Sequence, residues 1–219
     1  MMGKACMPKM INNIADCGVR NQLILALVCH CIRQNRKLLL LSDRREHLEV
    51  MYHLVEPYAT VGFYVGGMKQ RSLKESEACQ VILGTYAMSA EGLDIPDLNT
   101  VIFMTPKSSI EQSIGRIIRK DHAVVPTAFD IVDCFSVFAG QSRKRNAVYK
   151  KLGYDTITHP LYVDSEFTHV GMYDTFLAGL EDRLAQKRKQ VLHDNDNDNE
   201  DDEHGVGSSK KPVCLIDDE

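Results

Sequence analysis

Lys37-Leu38-Leu39-Leu40-Leu41 is an unbroken apolar run flanked by polar residues, and it constrains the fold more than any other stretch of the chain. A strand that is apolar on both faces must be covered on both, which places it inside a parallel sheet. Ahead of it, Arg20 to Gln34 carries Leu23, Leu27 and Cys31 at four-residue spacing beside Ile24 and Val28, the pattern of an amphipathic helix. Behind it, Asp43 and Glu46 have the spacing of a capping box ahead of Leu48, Met51 and Leu54, which predicts a second helix. The alternation then repeats. Strands are predicted over 61–65, 80–85, 100–105 and 127–133, and helices over 70–78, 109–120 and 137–152. An edge strand is expected over 155–163 and a further helix over 173–191. Strands alternating with helices give an α/β fold, a parallel sheet with helices on both faces. Right-handed crossovers put the carboxyl ends of all its strands along one edge, where such folds bind ligands.

Charge divides the chain unevenly. The net charge is −4, but residues 194–219 alone hold ten acidic residues and two lysines, so the remainder carries 24 basic against 20 acidic residues. The Asp-Asn repeat from Asp194 cannot bury a core and is expected to be disordered. Three regions follow: a folded body over 1–163, a helical extension over 164–193 and an acidic tail over 194–219. A mildly basic body suits a nucleic-acid partner. No apolar run approaches the roughly 18 residues of a membrane span, and Met1 to Pro8 does not read as a secretion signal. The seven cysteines show no paired C-x-x-C spacing, which argues against zinc. Their odd number argues against a secreted disulfide framework, so buried reduced thiols in an intracellular protein are expected.

Chemistry-bearing residues gather where the predicted strands end. Ser42-Asp43-Arg44-Arg45 follows the first, Gly66-Gly67-Met68-Lys69 the second, and Gly84-Thr85 closes the third. Glycines, hydroxyls and cations together suit contact with phosphates through backbone N–H groups, side-chain oxygens and charge. Glu91-Gly92-Leu93-Asp94-Ile95-Pro96 comes next, then Gln112-Ser113-Ile114-Gly115-Arg116-Ile117-Ile118-Arg119. Arg116 and Arg119, three apart on a helix, project from one face, and two planar guanidiniums suit the charge spread over a transferring γ-phosphoryl group. Simpler readings stand beside these: Gly66-Gly67 is also compatible with a plain tight loop, Asp94 to Pro96 with a turn, and Arg44 and Arg45 with solvated charges at a helix start.

In this order the segments resemble motifs IV, IVa, V and VI of superfamily 2 helicases, which lie in the second of two RecA-like domains. The nearest flavour is that of the helicases of large eukaryotic DNA viruses, with the phage recombination helicases and the repair helicase XPB. The run Asp130 to Phe138, followed by Arg143-Lys144-Arg145 and Tyr149-Lys150-Lys151, resembles the viral members too, so the likeness extends from about Arg20 to Tyr154. It implies a RecA-like domain over 1–163. By resemblance, Arg116 and Arg119 contact the ATP γ-phosphate, with Arg119 the arginine finger. Gln112 helps read the nucleotide, and Gly92 and Asp94 line the cleft, with Asp94 near the ribose. Ser42, Arg44, Gly67 and Thr85 touch the nucleic-acid backbone, DNA or RNA. The ending Gly-Arg-Ile-Ile-Arg departs from the Gly-Arg-x-Gly-Arg of RNA-unwinding relatives. The resemblance also implies a place in the cytoplasm or nucleus, or in a viral factory or virion.

Neither a phosphate loop nor a magnesium-holding acidic motif after a strand is found. Gly3-Lys4-Ala5 lacks the upstream glycine and the hydroxyl, and Asp202-Glu203-His204 sits in a polar tail. The chain is therefore expected to be a fragment, a split-gene product or a remnant, with ATP and Mg2+ held mainly by a first RecA-like domain in cis or in trans. Two readings stay open: a catalytic half that completes an ATPase, or a non-catalytic nucleic-acid-binding module. Finally, Val213, Leu215 and Ile216 ahead of Asp217-Asp218-Glu219 resemble a SUMO-interacting motif, a peptide that adds a strand to an exposed sheet edge.

Overall fold

The computed structural model describes residues 6–91, 93–115, 124–158 and 213–216, together with positions 179, 182 and 186. Two helices open the fold, α1 (Met7–Ala15) and α2 (Gly18–Arg33). Strands and helices then alternate as β1 (Leu38–Ser42), α3 (Arg45–Val55), β2 (Val61–Tyr64), α4 (Gln70–Glu77), β3 (Val81–Thr85) and α5 (Tyr86–Glu91). They continue as β4 (Thr100–Phe103), α6 (Glu111–Gly115), β5 (Thr127–Asp130), α7 (Ser136–Lys151), β6 (Asp155–Thr158) and β7 (Val213–Ile216). All strand pairs are parallel, in the order β2-β3-β1-β4-β5-β7-β6.

The four leucines explain why β1 is central. Leu38 to Leu41 have no exposed surface. Because successive side chains leave opposite faces of a strand, Leu38 and Leu40 join one core with Val28, Met51 and Val55, while Leu39 and Leu41 join another with Tyr86, Ile114 and Tyr149. The neighbouring strands repeat the division: Val81 and Leu83 on the first face, Ile82 on the second. Gly62 allows α4 to lie close against β2, since a Cβ there would stand 2.6 Å from the Cα of Ser76.

The helix ahead of β1 runs where the spacing predicts, but it is not amphipathic in place. Its buried residues run almost continuously from Leu23 to Cys29 and include Asn21 and Cys31, because α1 and α3 pack on the flanks that the sheet does not cover. The predicted capping box is also corrected. Arg44 occupies the N-cap position of α3 without a side-chain cap, and Asp43 turns away to a partner on another loop. Neither α1 nor α5 is foreseen from periodicity. The helix predicted over 109–120 is described over Glu111–Gly115, and 116–120 lie outside the described residues. The helix expected over 173–191 also lies outside them, apart from Gly179, Asp182 and Gln186, which are helical.

Two further expectations are corrected. Val213–Ile216, assigned from sequence to a disordered tail, forms β7 and pairs with β5 on one side and β6 on the other. A strand hydrogen-bonded along both edges has no free edge to offer, so the SUMO-type reading of Val213, Leu215 and Ile216 does not hold for this arrangement. The thiols are not uniformly buried either: Cys29 and Cys31 are, whereas Cys6, Cys17 and Cys134 are exposed. Burial pushes the Cys31 thiol up to about 12, against the opposing charge of Arg36. Among the described residues, no helix is long and apolar enough to cross a membrane.

Candidate functional site

The carboxyl ends of β1 to β4 open into one cavity of about 650 Å³. Its walls bring together Asp43 and Arg45 from the end of β1, Gly66 from β2, Thr85 from β3, Lys107 and Ser109 from the loop after β4, and Gln112 from α6. Parallel topology accounts for this convergence: each crossover returns the chain to the same sheet edge, so segments far apart in sequence meet there.

Several of the residues picked out in the sequence line this edge or adjoin it. Thr85 and Gln112 line the cavity, Thr85 half-buried and Gln112 exposed. Gly67 lies beside it with φ +86°, a left-handed conformation that glycine adopts without strain, and it is exposed. Asp94 is exposed in the segment between α5 and β4 and does not line the cavity. Gly92, Arg116 and Arg119 lie outside the described residues.

Ser42 and Arg44 are placed differently from a simple phosphate contact. Ser42 is fully buried; its Oγ accepts the Arg44 backbone N–H at 3.1 Å and lies 3.1 Å from Nδ1 of His47. On the other side of the ring, His47 Nε2 meets Asn21 Oδ1 at 2.9 Å, and Asn21 donates to Ala15 O at 3.0 Å. Burial, reinforced by the nearby Arg20 charge, lowers the His47 pKa to about 4, so the ring is neutral in the folded protein at neutral pH. Arg44 is half-buried and donates through Nε to Asn12 Oδ1 at 2.5 Å and through Nη2 to Pro8 O at 3.1 Å, both on α1.

Residues to which the motifs assign no contact complete the site. Arg45 is exposed and donates to the Gly66 carbonyl. Lys107 Nζ donates to Asp43 Oδ1 at 3.0 Å and Oδ2 at 3.3 Å, and sits 5.3 Å from the centre of the Tyr86 ring. The Lys107 carbonyl accepts from Arg145 Nη1 at 2.8 Å. Arg145 is buried, with Nε 2.7 Å from Asp130 Oδ2, the atom that also accepts from Tyr149 OH at 2.9 Å. Burial works against the Arg145 charge, but Asp130, with smaller help from Tyr149 and Tyr86, holds the guanidinium pKa above its usual value. Tyr86 donates to Thr105 O at 2.5 Å, and burial raises its phenol well above the ordinary range. The loop between β4 and α6 is thus fastened from several sides. Among the described residues, no cluster of three or more His, Cys, Asp or Glu side chains could hold a metal ion.

Part of the sequence and the fold that carries this sheet edge are matched in known proteins. Residues 20–121 match the family described as the helicase conserved C-terminal domain. This region belongs to that family. The matched stretch of the helicase domain runs from Arg20 through the positions of Arg116 and Arg119. A protein of Acanthamoeba polyphaga mimivirus, L396, named for a proposed ATP-dependent RNA helicase activity, is 42% identical over 153 residues, which are 67% of this chain and 30% of the relative. A protein of Invertebrate iridescent virus 6, 161L, named for a proposed helicase activity, is 37% identical over 81 residues, 36% of this chain and 18% of the relative. The crystal structure of T4 UvsW shares the fold, with a TM-score of 0.56 at 19% identity, over 68% of this chain and 36% of that one. The domain is the second RecA-like domain of the superfamily 2 type, and the chain spans less than a third of the length of either viral relative.

Proposed function

We propose that this domain is the second half of an ATP-driven helicase or translocase acting on nucleic acid, and that a first RecA-like domain, in cis or in trans, supplies the phosphate loop. The observation that carries the reading is the cavity at the strand ends, where Arg45, Gly66, Thr85 and Gln112 converge from four separate segments. Hydroxyl, guanidinium and glycine turn fit a sugar–phosphate backbone, whose contacts need charge and donors rather than base-specific groups.

ATP lies between the two RecA-like domains in this reading. Gln112 helps recognise the nucleotide, while Gly92 and Asp94 line the cleft with Asp94 near the ribose. Arg116 and Arg119 meet the negative charge that builds on the γ-phosphoryl oxygens as water displaces ADP, and Arg119 is the finger. A guanidinium suits that role because its planar fork donates two parallel hydrogen bonds to a phosphoryl group and stays charged at any ordinary pH. Mg2+ neutralises the triphosphate and belongs with the groups of the first domain. Arg44, Gly67 and Thr85 contact the nucleic-acid strand. Ser42, its hydroxyl taken up by His47 and the Arg44 amide, shapes the turn that presents Arg44 and Arg45.

The test is reconstitution. A matching first RecA-like domain with a phosphate loop, fused ahead of Arg20 or added in trans, is assayed for ATP hydrolysis with and without single-stranded oligothymidylate or oligouridylate. ATPase that appears only with both domains and rises on adding a strand supports the proposal. The name of the mimivirus relative favours oligouridylate as the better activator. ATPase from the isolated chain, or a reconstituted enzyme indifferent to either strand, overturns it.

A further inference from the structure

Lys107 and Asp43 form the partly exposed ion pair in the wall of the strand-end cavity, 64 residues apart in sequence. Neither belongs to the set of contacts that the motifs imply. Their surroundings are unusually well fixed for a surface pair. The Asp43 N–H donates to Thr105 Oγ1 at 2.9 Å, and the Lys107 carbonyl is held by Arg145, itself buried on Asp130. The side chains are freer: that of Lys107 is 37% exposed and that of Asp43 is 23% exposed. The backbone is therefore held at both residues, while the Lys107 side chain lines the same cavity as Arg45 and Thr85.

We propose that Lys107 is a nucleic-acid phosphate contact that Asp43 latches in the free protein. This inference rests on the reading of the cavity as a nucleic-acid face. An ammonium has three donors and no geometric preference of its own, so it can exchange one oxyanion for another without moving the backbone. The Asp43 carboxylate offers two oxygens at 3.0 and 3.3 Å, as a phosphate would. When a strand enters the cavity, its phosphate competes with Asp43 for the ammonium, and the displaced carboxylate repels the newcomer. Asp43 thus lowers affinity and Lys107 raises it. Arg145 acts only as a positioning residue, through the Lys107 carbonyl.

The test uses the full chain and fluorescein-labelled single-stranded oligothymidylate, with anisotropy measured across a salt series. Lys107→Gln weakens binding roughly fivefold and flattens the log–log salt slope by about 0.7, the value of one phosphate contact on a single strand. Asp43→Asn strengthens binding about two- to fivefold. In the double variant Asp43→Asn/Lys107→Gln the gain from Asp43→Asn shrinks, because its partner is gone. Thermal melting of each variant within a few degrees of the parent confirms that the fold is intact. If the parent chain binds the strand with a salt-dependent affinity and Lys107→Gln leaves both affinity and slope unchanged, the latch is wrong while the nucleic-acid reading survives. If the parent does not bind at all, the nucleic-acid reading itself fails.

Discussion

Two aspartate–cation pairs stand on the carboxyl edge of the same sheet and have opposite characters. Asp130 and Arg145, 2.7 Å apart, are each 1% exposed; Asp43 and Lys107, 3.0 Å apart, are 23% and 37% exposed. The first pair is closed in by Tyr149 and spends a guanidinium N–H on a backbone carbonyl. The second faces a cavity. Burial decides what each pair can do. A buried charge that loses its partner has no water to turn to, so the inner pair is bound to architecture. A half-exposed charge exchanges its partner at little cost, so the outer pair is available to a ligand.

The comparison breaks first at the inner pair. Arg145→Ala leaves Asp130 charged and buried, and is expected to destabilise the domain by about 3–5 kcal/mol, read as a lowered urea midpoint at unchanged slope. A loss below about 1 kcal/mol would place Arg145 with the surface pairs and remove the distinction.

The buried network beside β1 sharpens the contrast through pH. His47 has its pKa lowered from 6.5 to about 4, so the unfolded chain takes up a proton that the folded one refuses. The folded state pays no penalty above pH 6.5 and progressively loses stability as pH falls towards 4, by about 3 kcal/mol in all. Denaturant midpoints from pH 7 to pH 4 check this when the parent is compared with His47→Gln, in which that part of the slope disappears. Parallel pH profiles for the two proteins would mean that the ring is not held neutral.

At the outer pair the effect on stability is the smallest. Asp43→Asn and Lys107→Gln should each shift unfolding by less than about 1 kcal/mol. A calorimetric loss several times larger would make this pair structural too, and the two regions would no longer differ in kind.

What could be read from the sequence follows the range of the interactions involved. Leu38 to Leu41 announced a central strand because four consecutive apolar side chains have no other economical place, and the positions of Gly67 and Thr85 at strand ends followed from alternation and topology. Asp43 looked like a helix cap because Glu46 stands at the right local spacing. Its actual partner, Lys107, is 64 residues away, and no local pattern reports such a choice. Ser42 and Arg44 read as phosphate contacts by residue type, and residue type does not disclose that the Ser42 hydroxyl meets His47 or that Arg44 also donates to Asn12 of α1. The apolar run at Val213 carried a strand signal that its acidic surroundings masked; what the chain alone did not disclose was that the partners are β5 and β6 of its own sheet. The hydrogen bond from Arg145 to Lys107 involves a backbone carbonyl, which leaves no trace in residue type.

Whether this domain completes an ATPase through its arginine pair is decided most directly by one measurement. In the enzyme reconstituted with a first RecA-like domain, nucleic-acid-stimulated ATP turnover is compared between the parent and Arg119→Ala, with strand binding measured alongside. An arginine finger contributes about 10³–10⁵ in turnover in GTPases. Stimulated turnover should fall by about a thousandfold or more in Arg119→Ala, Arg119→Lys should recover little of it, and strand affinity should stay the same. Full turnover in the Arg116→Ala/Arg119→Ala double variant would rule out a catalytic role for the pair.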